Sequence, residues 1–128
     1  MTPPFEPGVP LGPLAFVPRT VGGGKAVWEY TVDPAHYNTN GVLHGGILMA
    51  LLDTAMGHAV ADLAAAEGRF NAAAQFNINF LVAIKGGLVR ARAEVRKMGK
   101  RLAVVEAEAT DEDGRLLALA TATHSLLP

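Results

Sequence analysis

Cysteine is absent from the 128 residues. Disulfides, thiolate nucleophiles and thiolate metal sites are therefore excluded, and a cytoplasmic location is expected. Charge of one sign is also lacking: 11 basic against 12 acidic residues give a formal net charge of -1. Nothing in that balance points to nucleic acid or to an anionic membrane surface. The amino terminus has neither a basic head nor an apolar run, so it is not read as a signal peptide. No internal repeat or low-complexity stretch interrupts the chain. The longest apolar run is broken by Asp53, His58 and Asp62, and a membrane span is rejected on that ground. What remains is one compact domain with enough chain for a substantial core.

The most informative stretch runs from Asn38 through His44-Gly45-Gly46 to Asp53. Two glycines after a histidine, followed by an apolar run, read as a loop delivering a ligand to a helix N-terminus. Unpaired backbone N–H groups and the positive end of the helix dipole there can polarise a carbonyl. The helix is predicted over residues 46–67, with Gly68 as its stop. It is apolar on nearly every face, so other structure should wrap it. Thr54, His58 and Asp62 form one stripe at i, i+4 spacing, expected to be the least buried. Asp53 lies off that stripe, among Met49, Ala50, Gly57 and Val60, as a lone carboxylate. Such a group is costly to bury unless it is paired with a backbone N–H or an arginine, or is kept for chemistry.

Residues 1–24, rich in proline and glycine, are expected to form an extended arm, with a short edge segment over 14–17, and residues 25–128 a single domain. A first strand covers residues 25–32, with Trp28, Tyr30 and Val32 on one face. His36, Asn38 and Asn40 lie in the loop before the helix. Four further strands are predicted over 72–81, 87–98, 101–110 and 116–126, separated by glycine or acidic turns. Asp113-Gly114 marks a hairpin tip. Arg90, Arg92, Glu94 and Arg96 alternate with apolar residues, as do Glu106 and Glu108. Matching the two polar faces requires an odd turn. A three-residue Met98-Gly99-Lys100 loop would pair Arg92 with Glu106 and Arg90 with Glu108. The fold class is thus α+β: an antiparallel sheet curved around one long helix, its alanine-rich faces suited to close approach. Uncovered edges and the outer face point to a homo-oligomer.

This order of elements resembles the hotdog fold, and Asn38-x-x-Gly41-x-x-His44-Gly45-Gly46 with Asp53 nine residues past the histidine resembles the PaaI-like acyl-CoA thioesterases. Asn77-Ile-Asn-Phe-Leu81, Lys85-Gly-Gly and Asp113-Gly-Arg agree with it. The resemblance implies hydrolysis of a fatty or aromatic acyl-CoA to acid and free CoA, in sites between two subunits of a dimer or, more in keeping with the family, a tetramer built as a dimer of dimers. Carried over by position, Asp53 is the general base or nucleophile, and Gly45, with Gly46 beside it, supplies the N–H that polarises the thioester carbonyl. Asn38 orients water or the acyl group, and His44 either bonds to the thioester region or buttresses the turn. Where some relatives carry a serine or threonine, this chain has Ala73, so either Gln75 or Asn77 substitutes or the rate is lower. Lys85, Lys97, Lys100 and Arg101 are either partners for the CoA phosphates or solvated turn charges. Met49, Leu52, Met56 and Phe80 are pocket walls or simply core. No cofactor is implied beyond the CoA of the substrate. No metal is expected, since His44, Asp53 and His58 match no ligand spacing. His36 and His124 read as ordinary surface or strand residues. Rival readings are an acyl-CoA-binding or sensing module, which would not need the lone carboxylate, and a hydratase or dehydratase, which these positions fit less well.

Overall fold

The computed structural model describes residues 5–128, so Pro3 and Pro4 of the expected arm lie outside the described residues. Six strands form one antiparallel sheet: β1 (Val17–Gly22), β2 (Lys25–Thr31), β3 (Phe70–Phe80), β4 (Leu88–Met98), β5 (Leu102–Thr110) and β6 (Leu116–Leu127), in the order β1-β2-β4-β5-β6-β3. One helix, α1 (Gly45–Ala65), fills the concave side. The arm is shorter than its composition suggests, because its last residues are β1, an edge strand hydrogen-bonded to β2. Pro18 is tolerated there beside a bulge, because its polar groups face away from β2: its carbonyl accepts the Gly8 N–H at 2.7 Å, and the ladder to β2 does not use its missing N–H. The edge segment expected over 14–17 starts only at Val17. Leu11 N–H bonds the Phe16 carbonyl and folds the preceding residues back on themselves.

The sheet can approach α1 closely because its inward positions are small. Ala91 and Ala93 on β4, Ala103, Val105, Ala107 and Ala109 on β5, and Ala118, Ala120 and Ala122 on β6 are all buried. Against them lie Leu48, Leu51, Leu52, Ala55, Met56, Ala59 and Val60 of the helix. By length and composition α1 could cross a bilayer, but here it is the core of the fold. It ends two residues earlier than expected. Gly68 (φ +66°) turns the chain, with Gly68 N–H on the Ala65 carbonyl and Arg69 N–H on that of Ala64, the Schellman pattern.

The stripe of Thr54, His58 and Asp62 is not the least buried face. Asp62 accepts the Gly24 N–H at 2.9 Å. His58 donates to the Thr54 carbonyl and packs on Trp28 with ring centroids 4.7 Å apart. The exposed line of the helix is instead Gly46, Met49 and Asp53. On the sheet, Glu29 is 4 % exposed although it faces outward, because Arg19 and Arg90 close over it at 2.5 Å each.

The β4–β5 register keeps the expected parity but not the expected pairs. Arg92 opposes Glu108, Glu94 opposes Glu106 and Arg90 opposes Thr110. A tight Lys100-Arg101 turn is combined with a bulge at Arg96, between Val95 and Lys97, and together they supply the odd residue. The bulge also answers the like-charge pair it creates: Arg96 lies 3.1 Å from Glu106 and 3.9 Å from Glu94.

Candidate active site

The loop before α1 aims the start of the helix. Asn38 Oδ1 accepts the N–H groups of Asn40 (2.8 Å) and Val42 (3.4 Å), and Gly41 (φ +74°) makes the turn. That oxygen is committed to its own loop, and only the Asn38 amide nitrogen remains for a ligand. His44 is the N-cap: its Nδ1 accepts the Gly46 N–H at 2.9 Å. The buttressing role of His44 is therefore seen directly. Because Nδ1 accepts, the neutral ring carries its proton on Nε2, on an exposed side chain. Gly46, expected to help bind substrate, has its N–H occupied by this cap.

Gly45 is different. As the first residue of α1 it has no acceptor for its N–H within the helix. A Cβ at this position would stand 3.2 Å from the Phe80 ring, so glycine lets the aromatic ring pack directly over the helix start. Beside it opens an apolar cavity of about 320 Å³ lined by Leu43, Leu48, Phe80, Leu81 and Val82. Of the four expected walls, Leu52 and Met56 are fully buried core, whereas Met49 and Phe80 are exposed.

Asp53 is exposed and has neither a hydrogen bond nor an ion pair among the described residues. The pairing with a backbone N–H or an arginine that would make it structural is not found. Eight residues separate it from Gly45, about 12 Å along the axis at 1.5 Å per residue. Within one chain the two groups cannot grip the same carbonyl.

Other expected residues lie elsewhere. Gln75 and Asn77 pair with Thr123 and Thr121 and face outward, away from the helix. A bulge at Ala74 sets this parity, so neither residue can stand in for Ala73 on the inward face. Asn77 instead lines the larger concavity, about 670 Å³, on the outer face with Arg92, Glu94, Glu106 and Glu108. Bigger though it is, that groove holds neither Asp53 nor Gly45. Lys97, Lys100 and Arg101 are exposed near the β4–β5 turn. Arg69, just after the helix, bonds the Lys100 carbonyl, so these cations lie at the far end of α1 from Gly45. Lys85 is at the near end, its carbonyl accepting from the Tyr37 hydroxyl. Among the described residues no group of three His, Asp or Glu side chains gathers as a metal site.

Two histidines are less ordinary than expected. His36 Nδ1 meets the Tyr30 hydroxyl at 2.6 Å. His124 is 1 % exposed, and its Nδ1 bonds Asn71 Oδ1 at 2.8 Å. The signal was available: counting by twos from Ala118 along β6 places His124 on the inward face.

A six-stranded antiparallel sheet around one long helix is the hotdog arrangement. Residues 40–118 match the model of the thioesterase superfamily. Human acyl-coenzyme A thioesterase 13 is 30% identical over 118 residues, covering 91% of this chain and 81% of that one. The 1,4-dihydroxy-2-naphthoyl-CoA hydrolase of Listeria monocytogenes is 32% identical over 108 residues, 81% of this chain and 84% of that protein. Among solved structures, the E. coli PaaI protein from the phenylacetic acid degradation operon superposes with a TM-score of 0.83 at 28% identity, covering 90% of this chain and 81% of that one. The chain belongs to the thioesterase superfamily, a class of thioester-hydrolysing enzymes.

Proposed function

We propose that the protein hydrolyses an acyl-CoA thioester, fatty or aromatic, in a site formed between two subunits. The observation that carries this reading is the pair of uncommitted groups on α1: an exposed carboxylate at Asp53 and an N–H without an acceptor at Gly45, too far apart to act together within one chain. A second copy resolves that separation. β3 is an edge strand of 11 residues without one charged side chain or proline, so nothing on it opposes pairing with another strand. Two β3 edges joined about a two-fold axis bring the helices alongside each other in opposite directions. Asp53 of one subunit then faces Gly45 of the partner subunit.

In this arrangement the Gly45 N–H hydrogen-bonds the thioester oxygen and stabilises the charge that develops there. Asp53 takes a proton from water as the water oxygen bonds to the carbonyl carbon, and the CoA thiolate collects that proton as the C–S bond breaks. Alternatively Asp53 attacks that carbon itself and expels the thiolate, and water then hydrolyses the mixed anhydride, releasing the acid, freeing the carboxylate and supplying the thiolate's proton. The acyl group occupies the apolar cavity beneath Phe80, with Met49 on its open side. Lys97, Lys100 and Arg101, remote from Gly45 of their own chain, are brought toward the partner's helix start, where the CoA phosphates emerge.

Thiol release from short, long and aromatic acyl-CoAs tests the reading. Turnover of at least one of them is expected, and Asp53→Ala should lower it about 10²- to 10⁴-fold with the oligomer intact. Unchanged turnover in Asp53→Ala would remove the mechanism. Tight acyl-CoA binding without turnover in the unmutated protein would replace it with a sensing module.

A further inference from the structure

β3 runs antiparallel to α1, with Asn71 level with Gly57 and Phe80 level with Gly45. Ala73 therefore lies beside the turn of α1 that carries Asp53, and directly across from Ala73 on β6 is His124. The imidazole is held from the helix outward. Asn71 Nδ2 donates to the Gly57 carbonyl at 3.3 Å, and Asn71 Oδ1 receives His124 Nδ1 at 2.8 Å. A carbonyl only accepts, so the first bond fixes which way the Asn71 amide faces. Its oxygen in turn requires the hydrogen to be on Nδ1. In the neutral ring Nε2 is then a bare lone pair, and it is buried with no partner. A buried acceptor without a donor calls for a reason.

The surroundings narrow that reason. The ring's inward-facing neighbours on β3, β5 and β6 are Asn71, Ala73, Ala103, Ala122 and Leu126, none of them charged. From α1 the charged group acting on it is Asp53. Burial holds the imidazole below its usual pKa, and the Asp53 carboxylate pulls it partly back. Ala103 and Ala122 are buried, whereas Ala73 and Asp53 are exposed, so of the groups around the ring it is the Ala73 side, level with Asp53, that meets the surface.

We propose that His124 is a positioning residue for Asp53, its Nε2 accepting the hydrogen bond of the Asp53 carboxyl once that group has taken a proton from water. Water's oxygen bonds to the thioester carbon, its proton passes to Asp53, and the protonated carboxyl is steadied against Nε2. The departing thiolate then collects that proton as the C–S bond breaks, and His124 stays neutral throughout. This rests on the hydrolase reading above with Asp53 as base. It also accounts for the absence of a hydroxyl at position 73, since the polar group is supplied from β6 instead.

Nitrogen NMR of the imidazole and steady-state kinetics test it together. His124 should carry its hydrogen on Nδ1, and its titration should move to lower pH in Asp53→Asn, where the charge that raises it is gone. His124→Asn keeps a donor at the Nδ1 position and deletes Nε2. It should lower kcat by up to about a hundredfold with KM changed by less than about twofold. His124→Gln keeps a polar atom at the Nε2 position and should retain most of kcat. An Nε2–H tautomer, a titration indifferent to Asp53→Asn, or undiminished kcat in a folded His124→Asn would each overturn the proposal. If the unmutated protein turns over no thioester while the two groups are coupled, the hydrolase reading falls and the catalytic use of the pair falls with it. The measured coupling would identify which of the two had failed.

Discussion

Replacing Gly45 with proline removes one hydrogen-bond donor and almost nothing else. The first helical position is where proline is best accommodated, because its N–H has no intrahelical acceptor and the ring's fixed φ suits the helix. The added carbons meet the far edge of the Phe80 ring, 3.2 and 3.3 Å from an ideal Cβ. That ring is 49% exposed and can swing aside. Stability should therefore change by no more than about 1 kcal/mol, read as a thermal midpoint. Catalysis should change far more. Loss of a single oxyanion donor costs about 10²- to 10³-fold in kcat, or about 3–4 kcal/mol of transition-state stabilisation. Gly45→Ala is the control, since it crowds Phe80 in the same way but keeps the N–H, and its effect should fall on KM. Thiol release at saturating acyl-CoA measures both variants. A folded proline variant with kcat within about threefold of the parent, or an alanine variant as damaged as the proline one, would refute the assignment of this amide.

Other substitutions probe the frame that holds the site. Burial of Glu29 works to raise its pKa, but the hydrogen bonds and charges of Arg19 and Arg90 outweigh that and hold it below the usual 4.5. The stability this contributes is present above that value and is lost as pH falls through the lower, folded-state pKa. Glu29→Gln should cost about 1.5–3 kcal/mol near neutral pH and flatten the acid limb of urea midpoints measured against pH; an unchanged acid limb would contradict the triad. A Cβ on Gly99 would stand 2.8 Å from the Leu102 carbonyl oxygen. Gly99→Ala should destabilise by about 1–3 kcal/mol, because backbone rather than a mobile side chain must move. A melt within error of the parent would mean that the turn relaxes freely. Gln75→Lys puts a charge near the middle of β3 and, on two edges meeting about a two-fold axis, brings like charges together. Sedimentation should show monomer, with turnover falling in parallel; a monomeric variant with full turnover would exclude a shared site.

Much of this architecture is legible in the residues because its logic is one of side-chain size. A strand reading Ala103, Val105, Ala107 and Ala109 on one face, with Glu106 and Glu108 on the other, can only turn its small face toward a helix. The parity of the β4–β5 pairing follows from the same alternation. The pairs themselves do not, because the bulge at Arg96 shifts the register without disturbing the pattern of polar and apolar residues. β1 was masked by Pro18, which reads as a strand breaker until the strand is known to be an edge. Asp53 is conspicuous in the sequence as a lone carboxylate on an apolar helix face, whereas the N–H of Gly45 is legible only through its place at the helix start. The Gly57–Asn71–His124 chain is not legible there, since it joins residues from three elements that only folding brings together. The outward direction of Gln75 and Asn77 is not legible for a local reason: the bulge at Ala74 breaks the alternation that would put them on the face of Ala73.

The central claim is that each site takes its acid from one chain and its amide from another, and mixing two inactive variants tests it most directly. Asp53→Asn and Gly45→Pro should each be nearly inactive alone. When the two are unfolded and refolded together in equal amounts, half the dimers should contain one intact site, restoring about a quarter of the parent's turnover. If the mixture stays as inactive as its components although hybrid dimers are present, the two groups do not meet across an interface and the proposed mechanism is wrong.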